Sequence, residues 1–142
     1  MNRFRPLVGA IIIVFNFYHP AQAQQELTVL RASSINQGTH QTFSAPYQRI
    51  IKYAREAVTA AGFDIESSER VDDNVYMILG RKTVAGDPYG EVIRVLAIRK
   101  DATTSEMRLL VRQQVAASTT REHDCCEEVY TDILGRVSLV ST

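Results

Sequence analysis

The chain has 142 residues, and its 16 Lys and Arg balance its 16 Asp and Glu, so the formal net charge is zero. That balance excludes the electrostatic footprint of a nucleic-acid binder and the basic clusters of an anionic-membrane binder. The only two cysteines are adjacent, Cys125 and Cys126, which excludes the disulfide framework of small secreted scaffolds.

The first 23 residues form a unit of their own. Arg3 and Arg5 give a short basic start, Leu7 to Phe15 is an almost unbroken apolar run, and Ala21-Gln22-Ala23 supplies small residues for a signal peptidase. The spacing predicts a secretory signal peptide over 1–23, cleaved after Ala23. The apolar run is too short to span a bilayer, which takes ~20 residues. Export predicts a periplasmic or secreted protein in an oxidising compartment, with no membrane span. Loss of Arg3 and Arg5 leaves 14 basic against 16 acidic residues, a net charge of −2.

Residues 24–39 read as an N-terminal extended segment, with a short strand around 27–31 and a loop from Ser33 to Gly38. A single domain is expected over 40–142. His40 to Phe43 suits a short strand leading into the first long helix. Ser44 is placed to cap that helix and Pro46 to occupy its first turn. Tyr47, Ile50, Ile51, Ala54, Ala57, Val58 and Ala61 recur at helical spacing as one apolar stripe. Gly62 suits the left-handed position that ends a helix, with Phe63 closing it.

Strands are expected next. Residues 64–71 are weakly patterned, Asp72-Asp73-Asn74 is a turn, and Val75 to Leu79 is apolar on both faces, as in a central strand. Gly86-Asp87-Pro88-Tyr89-Gly90 predicts a hairpin loop. Val92 to Ile98 follows, with Ile93, Val95 and Ala97 on one face. Met107, Leu109 and Val111 then alternate with Arg108, Leu110 and Arg112. Residues 116–121 read as a polar linker. A second helix is expected from Asp124, capped by Asp124 with Glu127, burying Cys126, Val129, Tyr130, Ile133 and Val137, and interrupted by Gly135. The order predicts an α+β fold: one antiparallel sheet of about four strands, both helices on one face. The long helix should cover Met77, Leu79, Val95 and Leu109.

The run Phe43-Ser44-Ala45-Pro46-Tyr47, the helix after it, Ala61-Gly62-Phe63-Asp64-Ile65-Glu66 and the hairpin strand beyond resemble helix-grip domains of the bacterial envelope. These include the accessory lipoprotein domains of the outer-membrane β-barrel assembly machinery and several small periplasmic families. The resemblance covers about residues 40–137. It implies a non-catalytic envelope domain that binds another protein or a ligand.

The densest set of reactive side chains is Glu122 to Glu128. On a helix, His123, Cys126 and Glu127 stand at i, i+3 and i+4 and offer imidazole, thiolate and carboxylate to a metal such as zinc. The structural alternative makes Cys126 a small buried hydrophobe and places the acids in a first helical turn, where the macrodipole favours them. An exposed Cys125 would suit a disulfide-linked homodimer. No Gly-x-Ser-x-Gly elbow or phosphate loop occurs, and no cofactor or catalytic residue is assigned. Tyr76, Arg94, Arg108 and Arg112 are the candidate partner-binding residues. They are expected on the sheet face that the helices leave free, beside Ile78, Leu96, Ile98 and Leu110. The metal-handling role is the alternative to this adaptor role.

Overall fold

The computed structural model describes residues 26–84, 87–116, 119–121 and 126–141. The expected signal peptide lies outside them. A short helix, α1, spans 26–32. Then follow β1 (Thr39–Phe43), α2 (Tyr47–Ala60), β2 (Asp64–Asp72), β3 (Val75–Val84), β4 (Asp87–Arg99), β5 (Ser105–Ala116), β6 (Thr119–Arg121) and α3 (Glu127–Ser141). The fold is α+β. Its sheet is antiparallel in the order β1-β5-β4-β3-β2, and the short β6 pairs with β5 beyond β1. The sheet thus has more strands than the four expected: five lie along its main path, and residues 119–121, expected as a linker, pair with β5 as a sixth. Among the described residues no helix is long and apolar enough to cross a membrane.

Helix α2 follows its sequence pattern. Tyr47, Ile50, Ala54, Ala57 and Val58 are buried, with Ile51 and Ala61 packed at the margin. Ser44 does not cap it. Pro46 stands at the cap in an extended conformation, no side chain bonds there, and the Ile50 amide donates to the Pro46 carbonyl at 3.1 Å. Gly62 takes φ +97 and turns the chain, so that the Phe63 amide donates back to Val58 O at 3.2 Å and the Phe63 ring enters the core.

Register fixes which strand residues share a face. Ile78 stands opposite Val95, which stands opposite Leu109. These residues, with Phe43, Ile93, Ala97, Met107 and Val111, form one core beneath α2 and α3. Cys126, Ile133, Leu134 and Val137 close it from α3. Helix α3 runs through Gly135 without a break, contrary to the expected interruption, because the helix keeps packing through Val137 beyond it.

The opposite face carries a second core. Val75, Met77, Leu79, Val92, Leu96, Ile98 and Leu110 pack with Leu27 and Leu30. Two expectations are corrected here. Residues 27–31 are helical, not extended: Leu27 and Leu30 are buried three positions apart while Thr28 and Val29 face outward. Met77 and Leu79 lie on the face away from α2. Because β3 is apolar on both sides, its sequence gave no sign of its phase, whereas pairing of Met77 with Leu96 and Leu79 with Arg94 sets it.

The β3–β4 hairpin is tighter than its composition suggests. Val84 pairs with Asp87, so Pro88, Tyr89 and Gly90 belong to β4 and not to a loop. A register shift between Lys82 and Val84 accommodates them, as bulges do for proline and glycine.

Tyr47 shows what the inner core tolerates. Its ring is buried and lies 4.7 Å from the Arg99 guanidinium carbon, while its hydroxyl has no hydrogen-bond partner among the described residues. Burial raises its pKa above the ordinary 10.0, against the pull of Arg70 and Arg99. A raised folded-state value means that this stability is present below the unfolded pKa and fades as pH rises past it. Tyr47→Phe removes an unsatisfied buried group. Denaturant titration should find the variant as stable as the parent or up to about 1 kcal/mol more so at neutral pH. It should also lose less stability at high pH. A loss above about 1 kcal/mol at neutral pH would show that the hydroxyl is bonded after all.

Candidate functional site

Of the four candidate partner-binding residues, three gather and one does not. Arg94, Arg108 and Arg112 project from the face opposite α2 and α3, in line with Leu96, Ile98 and Leu110. Tyr76 and Ile78 point the other way, into the α2 side. The Tyr76 hydroxyl accepts from Arg55 Nη2 at 2.7 Å and shares a hydrogen bond with Ser68 at 2.7 Å. The Arg55 guanidinium also sits 5.6 Å from the ring centroid. Tyr76 therefore ties β2 and β3 to α2. The reason for the misplacement is again the uninformative phase of β3.

The arginine face is not free. Residues 26–37, comprising α1 and the loop after it, lie across it as a strap. Arg94 is at the centre of the attachment and is 1% exposed. Its Nη1 donates to Leu30 O at 2.9 Å and Ser33 O at 2.6 Å, and its Nη2 donates to Ser34 O at 2.8 Å and Gln37 O at 3.5 Å. These carbonyls belong to the end of α1 and the turn beyond it, where the helix dipole favours a cation; Leu30 O and Ser34 O also accept the Ser33 and Gln37 amides. Among the described residues no carboxylate bonds the guanidinium. Burial lowers its pKa below the ordinary value, yet an arginine stays protonated. The charge is thus compensated by main-chain dipoles.

The other two arginines hold the strap at its ends. Arg108 Nη1 donates to Ile35 O at 3.0 Å and Asn36 Oδ1 at 2.9 Å, while its Nε donates to the buried Glu106 at 2.8 Å. Lys100 reaches the same Glu106 oxygen at 3.6 Å. Arg112 pairs with Glu26 at 3.7 Å. From the strap itself, Arg31 bonds Glu69 and donates to Ser67 at 3.2 Å on β2. Together with buried Leu27 and Leu30, each worth about 1.5–3 kcal/mol when fully sequestered, these contacts make a seat for a polypeptide segment. Two leucine anchors fill apolar sites, Arg94 reads the main chain, and Arg108 and Arg112 add side-chain contacts at the ends.

A second concave site lies on the other side of the sheet, between β1 and α3. It encloses about 570 Å³ and is lined by Thr39, Gln41, Glu127, Tyr130, Thr131, Leu134, Gly135 and Ser138. Gln41 donates to Ser138 Oγ at 3.1 Å across it, and the Tyr130 hydroxyl accepts the Val111 amide at 3.1 Å. The sequence offered no motif for this site, whose residues come from β1 and α3.

The candidate metal residues are only partly in view. His123 lies outside the described residues, as do Cys125 and Asp124. Cys126 is fully buried in the turn that opens α3, while Glu127 is exposed beside it. Among the described residues no three His, Cys, Asp or Glu side chains cluster to hold a metal. The Cys125-linked dimer has no support here.

No protein-family model, curated protein or solved structure matches the chain.

Proposed function

We propose that the chain is a non-catalytic secreted or periplasmic binding domain that receives a polypeptide segment on the arginine face of its sheet, with residues 26–37 as the occupant in cis. The observation that carries this reading is Arg94: one buried guanidinium facing four main-chain carbonyls recognises a backbone rather than a particular side chain. The basic start, apolar run and Ala21-Gln22-Ala23 of the sequence support export. Two helices on one side of an antiparallel sheet support kinship with helix-grip envelope domains, where binding rather than catalysis is the common role.

The test is comparative capture from an envelope fraction by three forms of the full chain. Leu27→Asp with Leu30→Asp lifts the strap, and that form should retain a polypeptide that the parent holds weakly. Adding Arg108→Glu and Arg112→Glu should abolish its retention. The same proteins captured by all three forms, each shown to be folded by circular dichroism, would reject this surface.

A further inference from the structure

Gly135 is out of place on local grounds. A glycine inside a helix is less favourable than alanine, and nothing in the fold asks for one here. A methyl group built at Gly135 would meet no atom within 4 Å. Gly135 lines the cavity between β1 and α3. Tyr130, Thr131, Leu134, Gly135 and Ser138 follow one another at helical spacing along the cavity wall, opposite Thr39 and Gln41 of β1. The missing side chain thus widens a concave site and bares the backbone at its wall, which is where a ligand can approach a helix closely.

The lining specifies the chemistry. Thr39, Thr131 and Ser138 contribute hydroxyls and Gln41 an amide, Tyr130 and Leu134 contribute apolar surface, and among the described residues Glu127 contributes the only charge. Glu127 lies in the first turn of α3 and is exposed at the mouth of the site. The Tyr130 ring is held by its bond to the Val111 amide, and the Gln41–Ser138 bond fixes one end. A volume of about 570 Å³ falls within the range of small-molecule sites, a few hundred to ~1,000 Å³.

We propose that this cavity binds a small hydroxyl-rich molecule carrying a cationic amine, of the amino-sugar class. The hydroxyls and amide would take the ring hydroxyls, Glu127 the ammonium group, and Tyr130 with Leu134 the apolar ring face. The site lies across the sheet from the arginine face, so it stands or falls independently of the strap.

The probes are glucosamine, glucose and glucuronate, titrated into the full chain and followed by amide chemical shifts of α3 and β1. Saturable binding is expected for glucosamine, at least about tenfold weaker binding for glucose, and none for glucuronate. Gly135→Leu should fill the cavity and abolish glucosamine binding. Gly135→Ala should leave Tm unchanged or raised, showing that the glycine serves no folding need. Glu127→Gln should bring glucosamine affinity down to that of glucose. Absence of saturable glucosamine binding to the parent chain overturns the proposal. So does undiminished binding in a folded Gly135→Leu chain, unchanged affinity in Glu127→Gln, or a lower Tm in Gly135→Ala.

Discussion

Replacing Arg94 with methionine should release residues 26–37 from the sheet while the α2 side stays folded. Methionine approximates the length of the arginine stem and keeps the apolar contacts to Leu79 and Leu110, its cross-strand neighbours. It cannot donate to Leu30, Ser33, Ser34 or Gln37. Four carbonyls would then face an apolar surface without their donor. Charge-assisted hydrogen bonds of this kind are worth about 1.5–3 kcal/mol each in isolation, and they share one guanidinium, so the combined loss should be about 2–4 kcal/mol. The cheaper response is for the carbonyls to regain water by lifting the strap. Hydrogen exchange should show lost protection over 26–37 and little change in α2, and limited proteolysis should cut first in that segment. Protection equal to the parent's would mean that Leu27 and Leu30 hold the strap alone, and the role assigned to Arg94 would be wrong.

Gly38→Ala should be comparably damaging for a different reason. Gly38 adopts φ +107, which L side chains rarely tolerate, and an added Cβ would stand 2.3 Å from the Leu109 carbonyl oxygen. Both partners in that clash are backbone, so neither can swing aside. Thr39 begins its pairing with Leu109 at the next residue, so the strain falls on the β1–β5 register as well as on the turn into the strap. A loss of about 2–4 kcal/mol is expected in denaturant titration, with weakened protection of Thr39–Phe43. Gly62→Ala is the internal comparison. It shares the positive φ, +97, but its Cβ would meet only the flexible end of Lys82 at 3.2 Å. Its cost should be smaller, about 1–2 kcal/mol. Equal losses at the two positions would show that φ alone, and not the close approach to Leu109, sets the penalty.

Elements with one clear period were legible from sequence. The stripe from Tyr47 to Val58, the alternation from Met107 to Arg112 and the buried series Cys126, Ile133, Val137 all reappear in the core. Residues that are apolar on both sides of a strand, such as Val75 to Leu79, carry no phase. Their facing is decided by cross-strand partners distant in sequence, and that uncertainty put Tyr76 on the wrong side. Leu27-Thr28-Val29-Leu30 is too short for periodicity to separate helix from strand, so tertiary burial on Leu96 and Leu110 decides it. Alternation puts Arg94, Arg108 and Arg112 on one face, and the β4–β5 register agrees. What alternation cannot state is whether such a face meets water. Arg94 is buried because main-chain carbonyls from sixty residues away fold over it, and no property of its own neighbours announces that. The β1–α3 cavity was equally hidden, since Gly135 reads as a helix breaker until the helix is seen to continue past it.

The order of the strap's attachments has a mechanical consequence. From Glu26 on Arg112, through Leu27 and Leu30, to Ile35 and Asn36 on Arg108, contacts are engaged one after another along the chain and end at Gly38. Tension applied through residues preceding Glu26 would load them in series rather than together. The segment would peel like a zip, at far lower force than parallel rupture demands, and the sheet behind it would remain intact.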